Sequence, residues 1–275
     1  VKSGSPKATL IFDNGKKIQL NADDTFEIKI KNTIVKDGEN TGLKYELSDS
    51  LSTRETDETV EYNTLVVSRG GEYILTLSDG TKVWLNSETE LKYPVRFSGN
   101  TREVSVKGEA YFEVTRNEEI PFKVHTEELD VKVLGTKFNF RNYKDDLEAK
   151  VCLLEGKVAL NTREKETILH PDQQALLDKK TGKLSVSDTK AAYSAEWTND
   201  FLYFDEVLLS DIIKELERSY DVKITVADDT LNTIRFYGNF RKREQSIREI
   251  MNVLSSTDKM TYTVNGKNIV ITLPQ

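Results

Sequence analysis

Apolar side chains recur at every second residue through most of this chain, and tight-turn pairs such as Asn-Gly and Asp-Gly interrupt the runs. A period of two belongs to strands with one buried face, so this pattern restricts the chain to β architecture wherever it holds. In residues 9 to 21, TLIFDNGKKIQLN, Leu10, Phe12, Ile18 and Leu20 flank Asn14-Gly15, which predicts a hairpin closed by a type I′ turn. Residues 74 to 86, ILTLSDGTKVWLN, repeat the device at an offset of 65, with Leu10, Gly15, Lys17, Leu20 and Asn21 falling on Leu75, Gly80, Lys82, Leu85 and Asn86. An internal duplication and two hairpins converging on one turn chemistry both account for these identities. Further alternating runs at 103–107, 110–114, 120–125, 129–134, 136–141, 148–153 and 157–161 suit a sandwich, barrel or solenoid of short strands. Residues 36–61, KDGENTGLKYELSDSLSTRETDETVE, are acidic and poor in apolar side chains, and read as a long exposed loop.

Near Ala191 the period changes. From Asp205 to Tyr220 the residues Leu208, Leu209, Ile212, Ile213, Leu216 and Tyr220 recur at three and four, predicting an amphipathic helix with Asp205 as its N-cap. The strand-like FLYF at 201–204 precedes it and VKITV at 222–226 follows. A second round runs through IRFYGNF at 234–240, a helix from about Glu244 to Ser255, and the hairpin MTYTVNGKNIVITL at 260–273, its register set by Asn265-Gly266. The expectation is a β-rich domain over 1–190 and a small α+β domain over 191–275, the latter with two helices on a mixed sheet.

Composition narrows the function classes. Among 275 residues there are 39 basic and 46 acidic side chains, and the one tight basic cluster, Arg241-Lys242-Arg243, reads as a solvated turn or helix start; phosphate binding needs a basic face, so nucleic acid is disfavoured. The longest apolar runs, Val151 to Leu154 and Phe201 to Phe204, are far short of the ~20 residues that span a bilayer. Eleven Tyr, eleven Phe and two Trp nevertheless call for a core. The chain starts Val1-Lys2-Ser3-Gly4, without methionine, and reads as a piece of a longer protein.

Chemistry-bearing motifs are scarce. His125 and His170 stand without the neighbours a metal site needs, Cys152 lies in an alternating apolar stretch, and phosphate-cradling or nucleophile-elbow patterns are missing. No catalytic, cofactor-binding or metal-ligating residue is assigned. The acid pairs Glu88 with Glu90, Glu118 with Glu119 and Glu127 with Glu128 read as solvated turns and strand faces. Trp84 and Tyr93 offer a sugar-stacking platform but sit at alternating positions that suit a core.

Longer strings carry more information. NTLVVSRGGEYILTLSDGTKVWLN at 63–86, SETELKYPVRFSG at 87–99, VSVKGEAYFEV at 104–114, PFKVHT at 121–126, VKVLGTKFNF at 131–140, LLEGKVAL at 153–160 and LHPDQQALLD at 169–178 resemble, in order, the periplasmic domain of FecR-type anti-sigma factors. Within them Gly70, Gly71, Gly80, Trp84, Asn86, Gly108, Phe112, Gly135, Phe138 and Gly156 are the family-motif positions, read as structural. FLYFDEVLLSDIIKELERSYDVKITV at 201–226 and IRFYGNF at 234–240 are similar to the domain following FecR in sensors of the Bacteroides type, and the duplicated strand-helix-strand order looks like an STN signalling domain. Val207 stands where the family often has Pro, and Ser68 replaces a frequent Pro before Arg69-Gly70-Gly71; both fit the same local structure.

The resemblance implies a non-enzymatic relay without a cofactor. It would be the soluble periplasmic part of a protein with a single inner-membrane span, taking a signal from the N-terminal domain of an outer-membrane TonB-dependent transducer. The sigma factor would be met only through a cytoplasmic segment ahead of Val1. The candidate partner-binding residues are Phe236, Tyr237 and Phe240, on a strand whose edge a partner strand could extend, or Arg248 on the neighbouring helix. The alternatives are a secreted carbohydrate-binding or adhesin-like β protein, and a hydrolase whose paired acids lie apart in sequence.

Overall fold

The protein was analysed as a computed structural model that describes residues 5–21, 25–30, 33–38, 42–47, 60–162 and 165–274. Two compact units result: Pro6–Ser68 with Glu72–Ala195, and Glu196–Gln275, with which the turn Arg69–Gly71 groups.

The first unit is built from β1 (Ser5–Ile11), β2 (Lys17–Asn21), β3 (Phe26–Ile30), β4 (Thr33–Gly38), β5 (Gly42–Leu47), β6 (Tyr62–Val67), β7 (Gly71–Thr76), β8 (Lys82–Leu85) and β9 (Glu90–Pro94). It continues through β10 (Arg102–Glu113), β11 (Phe122–His125), β12 (Asp130–Val133), β13 (Lys137–Asn142), β14 (Glu148–Glu155), β15 (Val158–Asn161), β16 (Glu166–Leu169), β17 (Gln173–Asp178) and β18 (Leu184–Asp188). Pairing sorts them into two series, β2-β1-β6-β9-β10-β11-β12-β15-β16 and β3-β4-β5-β7-β8-β10-β13-β14-β17-β18. Within these two series the pairs are antiparallel except β10–β11 and β5–β7.

Strand β10 belongs to both series. Up to Lys107 it pairs with β9, and from Gly108 onward with β13. Gly108 makes the transfer possible: its φ is 108°, and a Cβ there would lie 2.8 Å from Thr89 Cα, so the backbones approach as only glycine allows. The inward faces of both series meet in a single core in which Phe112 stacks on Phe138 at 5.0 Å, with Phe122, Phe140, Leu85 and Leu91 fully buried around them. Each such side chain contributes about 1.5–3 kcal/mol.

Two expectations change here. The segment 36–61 is not one long loop, because β5 falls within it, with Leu43 and Tyr45 buried and Asp37 only 6% exposed. Residues 39–41 and 48–59 of that segment lie outside the described residues. Both hairpins at the 65-residue offset close by a three-residue loop instead of a two-residue type I′ turn. Phe12 N–H donates to Lys16 O and Gly15 N–H to Phe12 O, as Leu77 does to Thr81 and Gly80 to Leu77, and Gly15 and Gly80 have φ of 81° and 83°.

The second unit holds β19 (Phe201–Leu208), α1 (Leu209–Tyr220), β20 (Lys223–Val226), β21 (Arg235–Arg241), α2 (Ile247–Ser255), β22 (Thr261–Asn265) and β23 (Asn268–Thr272). Its α+β class is as expected, with the five strands divided between an antiparallel pair, β19–β21, and a mixed triplet, β20-β23-β22. Helix α1 starts later than Asp205 implied, because β19 continues to Leu208 across a bulge at Asp205 and Glu206, where Glu206 takes φ 58°. Helix α2 starts at Ile247 behind a capping box in which Ser246 and Glu249 satisfy each other's backbone N–H. Leu209, Ile212, Leu216, Tyr220, Ile250, Met251 and Leu254 from the helices and Phe236, Phe240, Ile224, Ile269 and Ile271 from the strands form a second core.

Candidate functional site

Strand alternation decides which of the candidate partner-binding residues can meet a partner. Phe236, Gly238 and Phe240 of β21 face the core, and both Phe side chains are 2% exposed; Tyr237, on the opposite face, is 65% exposed. A Cβ on Gly238 would lie 2.5 Å from Phe240 Cε2, so the missing side chain is what lets the Phe240 ring lie back along its own strand. Phe236 and Phe240 are therefore corrected from partner-binding to core residues. Arg248 is exposed on α2, where its carbonyl accepts the Tyr262 hydroxyl at 3.3 Å. Tyr237 and Arg248 lie on different elements.

The outward face of the β19–β21 pair carries Phe201, Tyr203, Tyr237, Arg235 and Arg241. The Arg241 guanidinium lies 5.2 Å from the Phe201 ring centre, and Arg235 donates to Glu206 O at 2.6 Å. Partial desolvation, with the Glu206 carboxylate beside it, pushes the Tyr237 phenol up from its ordinary value. Among the described residues β19 and β21 pair only with each other, so each leaves one backbone edge without a strand partner.

The basic cluster beside this sheet is a turn, as expected, but its middle cation is buried. Lys242 is 1% exposed and its Nζ donates to Trp197 O at 2.9 Å, over the Trp197 ring at 5.8 Å. Its carbonyl accepts the Tyr220 hydroxyl at 3.2 Å, and burial followed by the nearby Asp200 and Glu249 charges pushes that phenol up. Arg241 and Arg243 instead pair outward with Glu244 and Asp200. Three consecutive cations carry no signal that the middle one points inward.

The family-motif positions lie at core, turn and strand-end sites. Asn86 and Asn139 donate to the two oxygens of Glu109, at 3.0 and 2.9 Å, and Arg141 adds a third bond at 3.1 Å, so a carboxylate that is 5% exposed is fully engaged. Gly80 closes the β7–β8 loop, whose Asp79 accepts from Arg102 at 2.7 Å; Arg102 is 3% exposed. Phe112 and Phe138 are core, while Gly70, Gly71, Gly135 and Gly156 occupy turns or strand ends. A Cβ on Gly135 would lie 2.6 Å from Arg116 Cα. Trp84 is half-buried beside Tyr111 at 5.4 Å, whereas Tyr93 is fully buried on the other strand series, so the two form no stacking platform.

His125 Nδ1 lies 2.8 Å from Asp130 and its Nε2 3.2 Å from Glu103, whose carboxyl is lowered by the Thr101 hydroxyl first and by Lys123 and His125 after it. His170 is exposed. Cys152 is buried, and burial pushes its thiol up, away from the reactive thiolate. Among the described residues no three His, Cys, Asp or Glu side chains are grouped to hold a metal ion, and no helix is long and apolar enough to cross a membrane.

Comparison with known proteins adds what geometry cannot. Residues 63–159 match the family model described as FecR protein, and residues 201–271 match the one described as FecR, C-terminal. A crystal structure at 1.65 Å of a candidate anti-sigma factor from Parabacteroides distasonis ATCC 8503 is 31% identical, with a TM-score of 0.72 over 77% of this chain and 99% of that one. The chain belongs to the FecR family. A 2.50 Å structure of a candidate anti-sigma factor from the same organism agrees, at 30% identity and TM-score 0.72 over 78% of this chain and 100% of that one. No curated protein matches. Membership supports a sigma-regulator role, with a sigma factor and signalling partners as the interactions the family implies.

Proposed function

We propose that this chain is the periplasmic sensing part of a FecR-family sigma regulator, a relay without catalytic activity. In this reading it receives a signal from the N-terminal domain of a TonB-dependent outer-membrane transducer. It passes that signal through a single inner-membrane span to a cytoplasmic segment that meets the sigma factor. The observation that carries the reading is the C-terminal unit. Its order, β19-α1-β20 then β21-α2-β22-β23, repeats a strand-helix-strand motif as an STN-like signalling domain does, and it presents a two-stranded sheet with unpaired edges and an exposed tyrosine. Such an edge accepts a partner strand through backbone hydrogen bonds, while the side chains of the outward face select the partner.

The test is a titration of the purified chain with the signalling domains of TonB-dependent transducers from the same genome. Saturable one-to-one binding to at least one, with the others silent, is the expected result. Silence of every domain would overturn the transducer assignment.

A further inference from the structure

The two sheets of the second unit end in the outer edges of β19, β21, β20 and β22, and these edges differ in how they are closed. Strand β19 is interrupted by the bulge at Asp205 and Glu206. On β20 the Ile224 N–H, which points away from β23, donates to Glu217 at 2.6 Å. Strand β21 carries Arg235 and Arg241, so an antiparallel copy of it aligned over its full length would set these two arginines opposite each other, which is destabilising. The edge of β22 (TYTVN) has none of these devices: it bears no charged side chain, bulge or proline, and among the described residues no strand pairs on it.

Register fixes which backbone groups β22 leaves open. Lys223 N–H donates to Lys267 O and Ala227 N–H to Ile271 O, so Ile269 and Ile271 of β23 turn their backbone groups toward β20. Asn268, Val270 and Thr272 therefore turn theirs toward β22, where they pair with Asn265, Thr263 and Thr261. The N–H and C=O of Tyr262 and Val264 are left pointing out of the edge. Their side chains pack on the second core, whereas Thr263 is exposed on the other face. This edge is complementary to itself. An antiparallel copy with the two Thr263 residues facing each other across a two-fold axis pairs Tyr262 with Val264 in both directions and uses every one of these open groups. Aromatic with β-branched, and threonine with threonine, are favourable opposed pairs, and no charge on the strand meets another. We propose that this chain binds a second copy of itself through β22, joining the two triplets β20-β23-β22 into one continuous sheet with isologous, two-fold symmetry. The proposal uses the other sheet of the unit from the one assigned to the transducer, and does not rest on that assignment.

The test is sedimentation velocity on the whole chain from about 10 μM to about 1 mM, because a short strand pair lies at the weak end of protein interfaces. A reversible monomer–dimer equilibrium is expected within that range. Thr263→Asp and Thr263→Lys each set like charges against each other at the two-fold axis and should each weaken the dimer at least about fivefold. Equal amounts of the two variants mixed together should form a heterodimer at least as strong as the parent dimer, a rescue that a change confined to the monomer would not give. Thr263 is exposed, so the melting curve of each variant should match that of the parent chain. A parent chain that stays monomeric at the highest concentration, a dimer that Thr263→Asp leaves unweakened, or a mixture that stays monomeric would each overturn the proposal. None of these outcomes bears on the transducer titration, whose binding is assigned to the β19–β21 sheet.

Discussion

At the scale of single residues, the interior of the first unit contains charges whose partners decide their cost. Arg102 is 3% exposed, and its guanidinium is engaged by Asp79, by the carbonyls of Ile120 and Thr115, and by the Phe122 ring at 5.5 Å. Asp79 also accepts from Thr81 through both its N–H and its hydroxyl, at 3.0 and 2.7 Å, so one carboxylate ties the β7–β8 loop to the first residue of β10. Removing one partner of a buried pair leaves the other charge without compensation, which costs about 3–5 kcal/mol. Asp79→Ala is therefore expected to lower the unfolding free energy by about that amount in urea denaturation, and Asp79→Asn by less, since an amide still accepts one bond. The Asp-Gly pair at 79–80 was legible as a turn; that its aspartate serves a buried arginine 23 residues on was not. Lys242 teaches the same lesson in reverse, because the depth of a cation depends on what folds over it, here Trp197.

At the scale of elements, the two helices of the second unit differ in how they start. Helix α1 follows Leu208, which offers no side-chain cap, and its position is set by packing of Leu209, Ile212 and Leu216. Helix α2 has the full capping box, with Ser246 Oγ 2.7 Å from Glu249 Oε2 and the Ser246 N–H donating to the same oxygen at 2.7 Å. Ser246→Ala should cost about 1 kcal/mol, read as a lower thermal midpoint with unchanged helical circular dichroism at low temperature. Periodicity was enough to place both helices, the hairpin strands β1, β2, β7 and β8, the run from β10 to β15 and the strands of the second unit, but not β3 to β6, β9 or β16 to β18. Boundaries were harder where two signals compete: Leu208 satisfies a helical spacing with Leu209 and Ile212, yet pairs with Arg235 in β19. The last hairpin shows how little separates two turns. Asn265 pairs with Asn268, so the loop residues are Gly266 and Lys267, and glycine takes the first position at φ 59° instead of following asparagine into the second. Strand β5 was missed because its alternation, Leu43, Tyr45 and Leu47, is short and flanked by charges.

At the scale of the molecule, the chain consists of a large β unit with its own core and a small unit with a second core, whose outward sheet face carries the exposed Tyr237. The resemblance named the family; it did not separate Tyr237 from Phe236 and Phe240, since five residues of one strand place aromatics on both faces and only the helices beneath decide which face is core. That separation gives the relay reading a sharp prediction. Tyr237→Asp puts a charge at the centre of the outward face without touching the core, so it should weaken transducer binding at least about tenfold while the thermal midpoint stays near that of the parent chain. Phe240→Ala empties a core position and should cost about 3–5 kcal/mol of stability, with any loss of binding following the loss of fold. Titrating both variants beside a melting curve distinguishes a contact from a scaffold effect. If Tyr237→Asp binds as the parent chain does, the interface lies elsewhere on the unit, and the exposed Val253, Val270 and Leu273 become the next positions to charge.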